Sequence, residues 1–527
     1  MLKDKNFISS LVFATLGIIL SIVFFKSPIH DFGNYYFGSK FALQGVNIYD
    51  IYEPYKFNLL IRNLPGFQDM KFLNNYAVVP PFTLIFYLPF TITGVFTSKL
   101  LFNILSVLVF SFYLLKLLRH LKIESPLVML LPLLVFIPFR NNILFGQAYL
   151  LLTGILMAGF VAEEKNKSLK AAFCYALAIA LKISPAILLL YLLARKNYKA
   201  FSMTILFSSL FFLSSVCFTG WNFMVQYILD YIPRMSINEI NNPWATTYQS
   251  ITVLLRNILI HDQLLNPLAS FSSTSFNSRI VFSILSGLST GVLFFFFIKQ
   301  LNRDKDHFSI FSFTLLSGCL LTAYTSSYSL VFLLPLLISS IRNKDTRMFT
   351  VLILSFLVCT LPVSAFQTLH LLMRFPRLYL MLLLFIVICM KYRYAAVDMK
   401  WLVTSVAIFV SINYLTSKRS DDKSEYYLDD EISLLGYDFS FSGNELTLKI
   451  INENGPAIKV ISLADSIRTV QPLTLINNQV YFNEQLTKGS DHKMNPVLLD
   501  NKEIVYMSDQ NRGIGFYALR KIPFDNP

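Results

Sequence analysis

The groups able to do chemistry in this chain are few and unevenly placed. One acid, Asp31, stands in Asp31-Phe32-Gly33-Asn34-Tyr35-Tyr36-Phe37-Gly38. The same stretch runs on through Gly45-Val46-Asn47-Ile48-Tyr49-Asp50-Ile51-Tyr52 to Pro80-Pro81-Phe82. An amide follows in Gly146-Gln147, an ammonium in Lys182-Ile183-Ser184-Pro185, and hydroxyls in Tyr324-Thr325-Ser326-Ser327-Tyr328-Ser329. A carboxylate can take a proton, an ammonium can face an anion, and amide and phenol groups can hold a polar substrate. Other chemistries lack their motifs. There is no Gly-rich phosphate loop, no His-Glu-x-x-His and no Cys-x-x-Cys, and His30, His120, His261, His307, His370 and His492 are scattered. No metal site and no cofactor are expected from that pattern. The acidic run Asp429-Asp430-Glu431 reads as a solvated loop.

The elements that must carry these groups follow from composition. Of 527 residues, 54% are hydrophobic and only 14% charged, with a mean hydropathy of +0.55. Soluble domains carry roughly 25% charged residues. An ordinary cytosolic enzyme, a disordered chain and a secreted disulfide scaffold are thereby excluded. An outer-membrane barrel is excluded too, because its strands alternate in polarity and give no long apolar runs. A polytopic helical membrane protein remains. Cys174, Cys217, Cys319, Cys359 and Cys389 all lie in apolar runs and predict no disulfide framework. The net charge of +14 is assigned to membrane topology rather than to nucleic acid, since no separate basic arm is present.

Basic residues then set the expected orientation. Lys3 and Lys5 precede the apolar run Phe7–Phe25, read as a retained first span with a cytoplasmic N-terminus. The first outer loop, 26–97, includes the run Phe82–Phe90, too short to cross the roughly 30 Å hydrocarbon core and expected along the outer interface. Ser98–Leu117 returns inward to Arg119 and Lys122, Leu127–Pro138 goes out, and Arg140-Asn141-Asn142 marks the next outer turn. Ala171–Ala194 has basic flanks at both ends. A hairpin broken at Lys182-Ile183-Ser184-Pro185 keeps both flanks inside and spares Lys182 from lipid. A second outer loop, 219–278, and further apolar runs to Trp401–Tyr414 bring the total to about thirteen spans. Arg374 and Arg377 are the exception to the rule, since this scheme puts them outside.

From residue 416 the composition changes. Leu446, Leu448 and Ile450, then Val480 and Phe482, Ile504 and Tyr506, and Ile514 and Phe516 alternate with polar neighbours. Period-two alternation predicts a small β-rich domain over 416–527, outside the cytoplasm, after a membrane domain over 1–415. The run Ser508-Asp509-Gln510-Asn511-Arg512-Gly513 looks like one unit of a β-propeller repeat, and one unit makes no propeller. On this topology Asp31, Gln147, Lys182 and the late Ser-Tyr turn all lie at one level, the outer boundary. That convergence fits a catalytic cleft better than a path through the midplane.

Over about residues 1–341 the order Asp-x-x-x-Tyr-Tyr, Gly-x-Asn-x-Tyr-Asp, Pro-Pro-Phe, Gly-Gln, Lys-x-Ser-Pro and Ser-Tyr resembles glycosyltransferase family 87. The resemblance implies an integral membrane enzyme with the C-type glycosyltransferase fold. Its relatives include polyprenol-phosphate-mannose-dependent mannosyltransferases. The late turn has Tyr328 near a position where the family often has histidine. By this likeness the chain is expected to be an inverting glycosyltransferase of the inner (plasma) membrane. It would take a polyprenyl-phosphate-linked sugar, mannose by the same likeness, and pass it to a lipid or glycan acceptor.

The likeness assigns Asp31 as general base for the acceptor hydroxyl, a role worth typically 10²–10⁴-fold in rate. Lys182 would face the leaving phosphate, with Arg140 in reserve. Gln147, Tyr35 and Tyr328 would contact sugar or phosphate. Asp50 and Glu53 are rival acids, and Asn241, Asn242 and Trp244 are candidate acceptor contacts. A transporter or flippase of lipid-linked glycans is the alternative, but it calls for polar residues at mid-span and related halves, and neither is seen. A third reading gives the tail a structural or binding role on a degenerate membrane part, against which the presence of Asp31 and Lys182 counts.

Overall fold

The computed structural model describes residues 4–68, 79–236, 242–260, 276–323, 325–343, 347–390 and 399–416. In the C-terminal part it describes 425–427, 435–452, 455–463, 467, 469–476, 479–482, 484–487, 493–509 and 517–524. Helices fill the chain to Thr416 and strands follow from Glu425. Asn241, Tyr324, Asp429-Asp430-Glu431, Ile514 and Phe516 lie outside the described residues, as does 510–513 of the propeller-like run.

Among the described residues, Lys5–Val23, Val95–His120, Tyr198–Thr219 and Ile280–Arg303 are long and apolar enough to cross a membrane. Pro126–Leu134 and Phe136–Phe145 count as one more if read together across their 46° bend. Pro138 supplies a cause for that bend, because it has no N–H to give to Leu134. Shorter apolar helices include Ser168–Leu181, His307–Leu321, Met348–Thr360 and Pro376–Cys389. Helix length therefore does not establish the expected count of about thirteen spans, which rested on charge alternation.

The first helix and Val95–His120 run antiparallel. Asp4 caps the first helix and pairs at 2.8 Å with Arg119, near the far end of the other. At the opposite end Lys99 reaches the residues that follow the first helix. Within the expected first outer loop the chain forms helices His30–Leu43, Ile48–Ile51 and Pro54–Arg62. The run around Phe82 is the short helix Pro81–Tyr87 with a 3-10 turn to Ile92. The expected break is present: Ser168–Leu181 stops at Lys182, whose backbone is extended, and Pro185 lies at the start of the next 3-10 turn.

Ile280–Arg303 is the later part of the helix Phe276–Arg303, which packs against Met399–Thr416, the last helix before the strands, through Gly287 and Gly291. A Cβ on Gly287 would stand 2.5 Å from Val410 Cα, and one on Gly291 2.6 Å from Val406 Cα. Small residues four apart permit this approach inside lipid. Gly287→Leu is expected to separate the helices at a cost of roughly 1–3 kcal/mol. A lowered melting temperature in detergent, with faster proteolysis between 416 and 425, checks it.

The strands are β1 Glu425–Tyr426, β2 Leu435–Ser442, β3 Glu445–Asn452, β4 Gly455–Ser462, β5 Thr469–Pro472, β6 Thr474–Ile476, β7 Gln479–Phe482, β8 Glu484–Gln485, β9 Lys493–Leu499, β10 Glu503–Ser508 and β11 Tyr517–Pro523. The larger sheet has the order β4-β3-β2-β11-β10-β9-β5, with β1 also on β11, and β6-β7-β8 form a smaller one. Leu446 and Leu448 turn inward with Val505 and Met507 around one core. Val480, Ile504 and Tyr506 build a second with Leu498. This is the alternation seen in the sequence.

Candidate active site

Asp31 lies in the first turn of the helix His30–Leu43, where the positive end of the helix dipole favours a carboxylate. Tyr35 is one turn further on the same face. The elbow leading into this helix is pinned by Lys99. Its buried ammonium donates to Ser27 Oγ at 2.7 Å, Pro28 O at 3.1 Å and Leu144 O at 2.7 Å. Three donors meet three acceptors, which satisfies a cation that would otherwise be costly in an apolar helix.

Gln147 is brought to Asp31 by a helix ending. Phe136–Phe145 closes at Gly146 in the left-handed region, φ +67°, and Gln147 N donates to Asn142 O at 2.8 Å. The buried Gln147 side chain donates from Nε2 to Asp31 Oδ2 and accepts from Tyr35 OH at 2.8 Å. This sense is forced, since an ionised carboxylate can only accept. A Cβ on Gly146 would stand 2.5 Å from Phe32 Cβ. Gly146→Ala is therefore expected to displace the Asp31 turn and to add roughly 1–2 kcal/mol of left-handed strain. Transfer activity should fall more steeply than the melting temperature, measured on one purified sample.

Tyrosines join this pair to Lys182. Tyr35 stacks on Tyr87 with ring centroids 4.7 Å apart. The Lys182 ammonium lies 5.9 Å from the Tyr35 ring centre and 5.3 Å from that of Tyr149, and Tyr149 lies 5.5 Å from Tyr328. The Asp31 charge acts on both Lys182 and Tyr328. Burial, then Tyr87 and Asp31, pushes the Tyr35 phenol well above its usual range, so it stays a donor. The Pro-Pro-Phe helix supports the break, with Thr83 Oγ1 donating to Leu181 O at 3.0 Å. Tyr328 is fixed through its carbonyl, which accepts from Asn142 Nδ2 at 2.8 Å. Beside Lys182 opens a cavity of about 250 Å³, walled by Ile183, Ile187, Leu315, Cys319 and Phe332, with Ser184 and Ser236 at polar points.

Five of the six predicted site residues, Asp31, Tyr35, Gln147, Lys182 and Tyr328, thus share one locus. Arg140 does not join them. The expected outer turn at 140–142 is instead helix, and the chain turns at Gly146. The Arg140 guanidinium lies 5.4 Å from the Phe24 ring and bonds Asn141, while Asn141 donates to Ser327 Oγ at 2.8 Å. The rival acids have other partners: Asp50 pairs with Lys56 at 2.8 Å, and buried Glu53 caps the helix Pro54–Arg62. Asn242 and Trp244 bond within their own segment. Asn242 Oδ1 accepts from Trp244 N, and the buried indole donates to Ile260 O at 3.0 Å. Sequence reading missed Lys99, Asn142, Tyr87 and Tyr149. Lys99 alone left a signal, a lysine one turn into an apolar helix.

A carboxylate held by an amide, an ammonium among aromatic rings and an apolar cavity on a mostly helical membrane scaffold suit an enzyme acting on a substrate with polar and lipidic parts. Residues 78–323 match the model of Glycosyltransferase family 87. That match supports membership of the family and, with it, a glycosyltransferase on a membrane scaffold. The matched stretch contains Gln147, Arg140 and Lys182; Asp31, Tyr35, Tyr328 and the strands lie outside it. No curated protein and no solved structure matches the chain.

Proposed function

We propose that the protein moves a sugar, mannose being the first candidate, from a polyprenyl-phosphate donor to a lipid or glycan acceptor on the extracytoplasmic face of the inner membrane. The observation that carries this reading is that Lys182 lines the apolar cavity and also lies against the Tyr35 ring of the Asp31–Gln147–Tyr35 chain. The lipid chain would lie along Ile187, Leu315 and Phe332, its phosphate at Lys182, and the sugar toward Asp31.

In the reaction the acceptor oxygen attacks the anomeric carbon as the bond from that carbon to the phosphate oxygen breaks. Asp31 takes the hydroxyl proton, a general-base role. The phosphate leaves as an anion whose growing charge Lys182 offsets. Attack opposite the leaving group inverts the anomeric centre. Gln147 holds one Asp31 oxygen and so fixes the direction of the other. Asp31 serves as base and Glu53 does not, because Glu53 caps a helix and faces Tyr517.

The test is chemical. Purified protein is incubated with polyprenyl-phosphate mannose and a cell-envelope lipid extract from a strain lacking the protein. Release of polyprenyl phosphate together with a new mannosylated product is the expected result. Donor consumption by hydrolysis alone, or movement of intact donor across vesicles with no product, contradicts the reading.

A further inference from the structure

The strand region lies outside the stretch matched by the family model, yet it is tied into the membrane part by buried contacts. Arg234 is fully buried on the short helix Ile232–Ser236. Its Nη1 meets Asp509 Oδ2 at 2.9 Å, with both side chains at 0% exposure, and its Nε meets Asp230 at 2.9 Å. Asp509 directly follows β10. At the start of the neighbouring strand β11, buried Tyr517 directs its hydroxyl to Glu53 Oε1 at 3.4 Å. One strand pair therefore grips two segments far apart in sequence. The first is the helical segment after Asp31. The second is the helix whose Ile232, Met235 and Ser236 wall the cavity beside Lys182.

A buried ion pair adds little net stability over an apolar replacement, but removing one partner strands the other charge. Such a pair is better suited to fixing geometry than to adding stability. The turn before Arg234, Tyr227–Tyr231, is a π-helix, a rare form found frequently at functional sites. Met235 lies in the main core with Ile232 packed against it, and the Asp509 pair adds a charged hold from the strand region to that packing.

We propose that the strand region is a positioning element of the site: Asp509, through Arg234, sets the cavity wall, and Tyr517, through Glu53, sets that wall against the Asp31 segment. Its identification as a wall of the donor cavity rests on the proposed function, whereas the mechanical coupling does not.

The test reads the wall directly. Ser236→Cys supplies a thiol on it, and its labelling by a soluble maleimide is timed against the parent protein to subtract the native cysteines. Lys167→Cys, on an exposed loop between Tyr149–Glu164 and Ser168–Leu181, is the control for general loosening. Asp509→Asn is expected to change the Ser236→Cys labelling rate at least fivefold and leave the Lys167→Cys rate unchanged, with Asp509→Glu restoring the parent rate. Tyr517→Phe, which keeps the ring, should give a smaller change in the same direction and serves if Asp509→Asn does not fold. Unchanged labelling in folded Asp509→Asn or Tyr517→Phe protein overturns the proposal. So does an equal rise at both cysteines, which would mark a merely structural contact. Where transfer is measurable, Asp509→Asn should raise the donor KM severalfold with kcat retained. Absence of transfer in every variant would bear on the proposed function and not on the coupling.

Discussion

Purified Asp31→Asn protein is expected to lose transfer by roughly 10²–10⁴-fold in kcat while still binding donor. The substitution keeps size and retains an oxygen that can accept from Gln147 Nε2, so the local packing survives. It removes the only basic group of the Asp31–Gln147–Tyr35 chain, because an amide cannot take the hydroxyl proton. A donor-induced rise in melting temperature should therefore persist in the inactive variant. Gln147→Leu should act in the same direction with a smaller loss, since it leaves the carboxylate and removes its orientation. Near wild-type turnover by Asp31→Asn would take this residue out of the mechanism.

Lys182→Met is expected to cost roughly 10²–10³-fold in kcat, the range seen when one group facing a developing charge is removed. Methionine keeps the length and apolar stem of lysine, so the Tyr35 and Tyr149 rings should remain packed around it. The missing quantity is the positive charge facing the phosphate. Lys182→Arg should recover part of the rate, because a planar guanidinium also pairs with phosphate but fills the space differently. A Met variant with normal kcat, assayed at saturating donor, would show that the phosphate is neutralised elsewhere.

Much of this site could be read from the chain itself for identifiable reasons. Lys182 between two basic flanks, followed by Pro185, favoured a break over a single span, and the helix does stop at Leu181. Gly146-Gln147 reads as a turn because glycine alone takes the left-handed backbone cheaply. What stayed hidden depended on partners distant in sequence. Lys99 looks like an interfacial lysine until Ser27, Pro28 and Leu144 are brought around it. Arg140 looks like a turn residue because three consecutive polar side chains interrupt an apolar run, yet Asn142 is spent on Pro138 O and Tyr328 O and the helix continues. Arg377 broke the charge rule for a similar reason. It is buried, and its guanidinium closes the end of Met348–Thr360 by donating twice to Leu361 O. The helices of the first loop are rich in tyrosine and phenylalanine that pack on one another rather than on a periodic face, so no helical stripe marks them. The hold of Asp509 on Arg234 spans 275 residues and leaves no local trace.

The central claim is spatial: one pocket holds the donor phosphate at Lys182 and the reacting sugar carbon at Asp31. A density map of the protein with a non-transferable phosphonate analogue of the lipid-linked sugar measures this directly. The phosphonate oxygens should lie within hydrogen-bond distance of Lys182 Nζ, the lipid chain along Ile187 and Leu315, and the anomeric carbon on the side facing the Asp31 carboxylate. A phosphonate bound away from Lys182, or a sugar separated from Asp31 by packed side chains, would contradict the account.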